Sequence, residues 1–212
     1  MTALSWVALA VAGVAAVADW WAVARGDTRV EYVAKPLATL ALLVVAASVD
    51  TDLGGRQGWF VAALALSLAG DVFLMLPQDR FIPGLVSFLL GHVAYVVGFW
   101  VDDRPGGVGL VVGIVLVGTV VLVLAGRILA GLRASGESEL AVPVSVYMAV
   151  IAAMAISATG AGPALAIAGA WLFLASDALL AWNKFVRPVA WAPVGIMVTY
   201  HLAQAGLALS LA

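Results

Sequence analysis

Apolar residues fill this chain in long runs, divided by short polar or Gly/Pro-rich breaks. Runs of bilayer-crossing length, about 17–22 residues, fall at roughly 3–24, 32–49, 58–76, 83–101, 107–125, 140–158, 162–182 and 189–211. The breaks read RGDTRVE, DTDLGGRQ, PQDRFI, DDRPGG, GRILAGLRASGESEL, TGAGP and NKFVRP. This pattern predicts an all-α polytopic membrane protein of about eight transmembrane helices, one domain over 1–212. The second and sixth runs are short and carry Pro36 and Pro143 near their starts. The first turn of a helix tolerates proline, because its missing N–H would be unpaired there. The first run is too long for a signal-peptide core, and MTALSW lacks a positive leader, so it reads as a retained helix.

Two of the runs are interrupted from within. Asp71 in SLAGDVFLML and Asp177 in LFLASDALLA sit well inside apolar stretches. An ionisable group there costs a few kcal/mol or more, so it calls for a partner and usually a function. The two contexts are alike, GDVFLMLPQDRF against SDALLAWNKF, and Pro36 and Pro143 precede their aspartates at nearly equal spacing. This suggests a duplication into four-helix halves, about 1–104 and 105–212. An even number of spans per half makes such repeats parallel.

Composition agrees with the bilayer as solvent. Of 212 residues, 65% are hydrophobic and 10% charged, against about 25% charged in a soluble domain; mean hydropathy is +1.13. A net charge of −2 with no basic block argues against a nucleic-acid partner. The absence of cysteine excludes disulfides, thiolate metal sites and a thiol nucleophile. Basic residues favour the odd-numbered connections: Arg25, Arg29, Arg80, Arg127, Arg133, Lys184 and Arg187, with Lys35 adjoining. The even-numbered ones hold Arg56 and Arg104. By the positive-inside rule the odd loops lie in the cytoplasm of a bacterial inner (cell) membrane, with both termini outside.

On that topology the polar residues converge in the inner half of the bilayer. At 1.5 Å per residue Asp71 lies about 9 Å inside its helix end, and Asp177 lies at a similar depth. Lys35 and Asp19 lie near the same side, Tyr147 about two turns in, and His92, Tyr95 and Tyr200 deeper. A shared, partly hydrated cavity accommodates such a set. Phe88, His92, Tyr95 and Phe99 share one stripe of the fourth helix, beside the small residues Ser87, Gly91, Ala94 and Gly98. Met197, Tyr200, His201 and Gln204 share a face of the eighth. Gly70 leaves room for a neighbouring backbone or substrate beside Asp71. Plainer readings stand alongside. Tyr95 and Tyr147 read equally well as packing residues, His201 and Asp19 as structural, and Asp79, Asp102, Asp103, Glu137 and Glu139 as solvated loop charges. The tryptophans read as interface anchors.

The chain resembles the lysoplasmalogenase, or YhhN-like, family of eight-helix membrane hydrolases. The likeness rests on AKPL at Ala34–Leu37, LAGD at Leu68–Asp71 and the FxxGHxxY run from Phe88 to Tyr95. ASDALLA at Ala175–Ala181 and the Tyr200 to Gln204 pair complete it. The second half departs from an exact duplicate, with Val142-Pro143 where Lys-Pro would stand. The resemblance implies cleavage of the vinyl-ether bond of a lysoplasmalogen or related lysolipid, to a fatty aldehyde and a glycerophospho-alcohol. It makes Asp71 and Asp177 the catalytic pair, with Lys35, His92, Tyr95 and Tyr200 around them; Tyr147, Ser176 and Gln204 are further candidates for substrate binding or support of the site. A lysophospholipid entering from the bilayer would meet Arg80, Lys184 and Arg187 at its phosphate.

Vinyl-ether hydrolysis needs a proton on the alkene carbon and then water on an oxocarbenium-like cation. Two carboxyls in different protonation states suit this, as in glycosidases, and no metal or cofactor is required. Which aspartate takes which role stays open at this level. A proton-coupled transporter, or a lipid-binding membrane protein without hydrolase activity, would also carry membrane acids. A metal-dependent hydrolase would instead draw ligands from His92, His201, Asp71 and Asp177.

Overall fold

The computed structural model describes residues 1–76, 80–102 and 104–212, and among these it contains only helices and connections. Asp79 and Asp103, read as loop charges, lie outside the described residues. The helices are α1 (Ala3–Arg25), α2 (Thr28–Ser48), α3 (Gly54–Met75), α4 (Phe81–Val101), α5 (Gly107–Ala134), α6 (Ala141–Ala161), α7 (Ala164–Ala181) and α8 (Ala192–Leu209). A π-helical turn, Trp182–Val186, continues α7. All 8 spans are long and apolar enough to cross a membrane, and the chain is a multi-pass integral membrane protein.

Local chemistry sets the α1–α2 hairpin. Thr2 and Ser5 cap each other's backbone amides at the start of α1, and the Ser5 hydroxyl reaches Ser48 on α2 at 3.0 Å. Gly26, at φ 69, ends α1 in the left-handed region where a side chain would be strained. Asp27 then accepts the amide hydrogens of Arg29 and Val30 at 3.1 and 3.3 Å. That cap starts α2 four residues earlier than the apolar pattern predicts, so Pro36 lies in the helix interior and not in its first turn. A proline there withholds a hydrogen bond from the carbonyl of Tyr32, one turn back.

Helices α3 and α4 approach closely through small residues. Gly91 faces the Ala63 carbonyl, and Gly98 makes room for the Phe60 ring. Phe60 stacks edge-on against Tyr95 and Phe99 at 4.9 and 5.1 Å. Gly70 abuts the Phe88 ring, where a methyl group would stand 2.6 Å from it. The space beside Asp71 is therefore filled by an aromatic ring of α4.

Two sequence expectations need correction here. Helix α5 does not stop near residue 125 but runs on to Ala134, because Ile128 and Leu132 are buried against Val144 and Phe185. Arg127, which made this stretch look like a loop, lies 5.6 Å from the Trp182 ring. Arg56, read as a loop charge, is 2% exposed inside the α3–α4 pair. Its Nε donates to the Gly98 carbonyl at 3.4 Å, and its guanidinium stands 5.5 Å from the Phe99 ring.

Candidate active site

Asp71 is fully buried about one turn before the end of α3. Its Oδ2 accepts hydrogen bonds from Thr39 of α2 and Tyr200 of α8, each at 2.7 Å. Its Oδ1 faces the Lys35 ammonium of α2 at 3.4 Å. Lys35 and Thr39 are one helical turn apart, so a single face of α2 supplies both. Tyr200 is held in turn: the Gln204 amide donates to its oxygen at 3.3 Å, and Tyr95 donates to Gln204 at 2.7 Å. Two hydroxyl donors and a cation are thus aimed at one carboxyl, each of which favours its charged form.

Asp177 lies about one turn before the end of α7 and is surrounded differently. Tyr147 of α6 donates its hydroxyl hydrogen to Oδ2 at 2.6 Å, and His92 Nε2 of α4 stands 3.2 Å from the same oxygen. Since Tyr147 spends its only hydrogen on Asp177, the imidazole tautomer that donates from Nε2 fits the cluster. His92 Nε2 also lies 2.9 Å from the Tyr147 oxygen, while its Nδ1 is buried with no hydrogen-bond partner among the described residues. The Asp177 side chain is 18% exposed, and its Oδ1 makes no hydrogen bond among the described residues.

Asp71 and Asp177 are both among the residues that line one cavity of about 100 Å³, Asp177 partly exposed and Asp71 buried in its wall. Lys35, Tyr147 and Tyr200 line it, with otherwise mostly apolar walls from α4, α5, α6, α7 and α8. Phe173 joins the two clusters, its ring 4.6 Å from His92 and 5.5 Å from Tyr200. Against this geometry, the sequence model of the YhhN family matches residues 30–211. The chain belongs to the YhhN family.

Among the relatives of this YhhN chain, the human protein named Lysoplasmalogenase TMEM86B is 32% identical over 157 residues. That match covers 74% of this chain and 65% of the human one. The pig (Sus scrofa) protein of the same name is 30% identical over 182 residues, covering 83% and 73%. Lysoplasmalogenase of Mycobacterium tuberculosis is 32% identical over 176 residues, covering 79% and 65%. The YhhN chain thus spans 65% of the length of the human and mycobacterial relatives. No solved structure matches it.

The remaining candidate residues of the YhhN chain divide by reach. Tyr95 and Gln204 are fully buried behind Tyr200 and do not line the cavity. Ser176 lines it, but its hydroxyl donates to the Ile196 carbonyl at 3.0 Å. His92 does not line the cavity but contacts Tyr147 and Asp177, which do. Lys184 stands over the Phe81 ring at 4.6 Å, at the end of the cavity that Phe81 and Phe185 line. Arg80 and Arg187 are exposed on flanking connections. His92 and His201 belong to separate clusters, His201 accepting the Trp20 indole hydrogen on Nδ1 at 3.0 Å. No group of three or more metal-ligating residues converges among the described residues. Thr39 escaped the sequence reading. Its spacing one turn after Lys35 was the available signal.

Proposed function

We propose that this YhhN protein is a membrane hydrolase that cleaves the vinyl-ether bond of a lysoplasmalogen or related lysolipid, with Asp177 as the acid and Asp71 as the ionised partner. The observation that carries this reading is the contrast between two carboxyls on one cavity. Asp71 holds two hydroxyl donors and an ammonium. Asp177 takes both of its donors on one oxygen and leaves the other without a protein partner.

In this reading the proton on Asp177 passes to the alkene carbon that does not bear the ether oxygen. The positive charge appears on the adjacent carbon and oxygen, where the Asp71 carboxylate stabilises it. Water adds to that carbon, and its released proton passes to the Asp177 carboxylate, which restores the acid. The hemiacetal collapses when its hydroxyl proton moves to the leaving oxygen, giving the aldehyde and the glycerol-bearing alcohol. Tyr147 and His92 orient Asp177; Lys35, Thr39 and Tyr200 hold Asp71.

The alkenyl chain would lie against the apolar walls contributed by α5 and α6. The phosphate would sit at the Phe81–Phe185 end near Lys184, with Arg187 and Arg80 on the same side, the side assigned to the cytoplasm of a bacterial cell membrane. The names of the relatives support the substrate class. The test is aldehyde release from lysoplasmalogen by the purified protein in lipid nanodiscs, against Asp71→Asn and Asp177→Asn. Equal release by wild type and either variant would overturn the assignment, and uptake into vesicles with no product would favour a transporter.

A further inference from the structure

Asp19 is fully buried on α1, and neither of its carboxyl oxygens has a hydrogen-bond partner among the described residues. It precedes the residues 30–211 that match the family. Asp19 shares the buried residues of α1 with Ala15, Ala16 and Ala22, and Ala15 and Ala16 pack against Ala38 of α2, one turn from Lys35; the charged groups nearest in effect are Lys35 and Glu31 of α2 and Asp71 of α3. Of these Lys35 is the one cation, and it is the same ammonium that stands 3.4 Å from Asp71. Lys35 also acts on His201 of α8. Because the Trp20 indole donates to His201 Nδ1, the ring hydrogen resides on Nε2, which is itself buried without a partner. Helices α1, α2 and α8 pack on one another, and Asp19 adjoins in sequence the Trp20 that bonds His201.

Charge decides how Asp19 and Asp71 are protonated. Two buried carboxylates against one buried ammonium would leave a net negative charge in low dielectric, which is strongly unfavourable. One proton removes it. Asp71 has Thr39, Tyr200 and Lys35 to stabilise its ionised form, whereas Asp19 has no hydrogen-bond donor to replace the water it lost.

We propose that Asp19 is a positioning residue: Asp19 and Asp71 share Lys35 and a single proton, and Asp19 carries that proton while Lys35 serves Asp71. The neutral Asp19 leaves the ammonium committed to the catalytic carboxylate. An ionised Asp19 would compete for it. This inference rests on reading Asp71 as the ionised member of the pair, and its test needs no substrate.

Infrared difference spectra of the full chain in nanodiscs at neutral pH read carboxyl protonation directly. Wild type minus Asp19→Asn is expected to show a protonated-carboxyl C=O band. Asp71→Asn is expected to lose that band, because Lys35 then turns to Asp19 and ionises it. Lys35→Met is expected to gain a second protonated band, from Asp71. Only carboxylate bands in the first difference, an Asp19 band unchanged by Asp71→Asn, or no added band in Lys35→Met would each overturn the proposal. Should Asp19→Asn not fold, Asp19→Glu moves the band where Asn removes it, and a band that stays in place overturns the proposal. Failed aldehyde release with the expected spectra would sink the enzymatic reading and leave the shared proton standing.

Discussion

Tyr200 of α8 donates its phenolic hydrogen to Asp71 of α3 at 2.7 Å, and the same oxygen takes the Thr39 hydroxyl from α2. Three helices thus meet on one carboxylate atom. Tyr200→Phe removes one of the donors and keeps the ring stack with Phe88 and Phe173. A hydrogen bond to a charged group contributes about 1.5–3 kcal/mol, so kcat/KM for aldehyde release is expected to fall roughly 10- to 100-fold. Thermal stability in the same nanodiscs is measured alongside; an unchanged rate would deny Asp71 its dependence on this donor.

Asp177→Asn keeps the shape of the side chain and removes its capacity to deliver a proton. General acid catalysis contributes about 10²–10⁴ in rate, so kcat is expected to drop by that range with KM little altered. Steady-state kinetics on one lysoplasmalogen species checks both parameters. A rise in KM alone would assign Asp177 to binding.

How far the sequence reading reached follows from the kind of interaction involved. Eight spans were visible because each needs about 20 apolar residues, and the structure adds only capping detail at Asp27 and the α5 extension. Arg56 misled, since a charge at the edge of a run looks solvated when only a neighbouring helix can bury it. Asp71 and Asp177 stood out individually because a bilayer makes any carboxyl conspicuous. The pairing of Asp177 with His92 and Tyr147 joins α4, α6 and α7, and no local pattern encodes such a meeting. Thr39 was within reach from its helical spacing, Asp19 as a partner of Lys35 was not.

Gly70→Ala places a methyl group against the Phe88 ring. That ring touches Tyr200 and Phe173, so displacing it disturbs the wall shared by both carboxylates. Overpacking of this kind costs about 1–3 kcal/mol. The expected outcome is a lower unfolding temperature together with reduced turnover, read by thermal denaturation and by aldehyde release. A stable variant of full activity would show that the ring moves aside freely.

Val121 of α5 lines the apolar part of the cavity. Val121→Phe narrows it, and each CH₂ denied burial forfeits about 0.8 kcal/mol. KM is therefore expected to rise for long-chain substrates and to change little for short ones. A chain-length series measured on both proteins tests this; a uniform change across the series would place the alkenyl chain elsewhere.

Under the proposed function, the apolar walls of the cavity, lined by residues from Phe81 to Ile151 of the membrane-spanning helices, set the units in which this protein would meet its lipid substrate. Encounter takes place in two dimensions, so the governing variable is the mole fraction of substrate among its neighbouring lipids. Adding inert lipid at fixed bulk concentration then slows the reaction by surface dilution, and affinities expressed in molar units follow the composition of the membrane as much as the chemistry of the site.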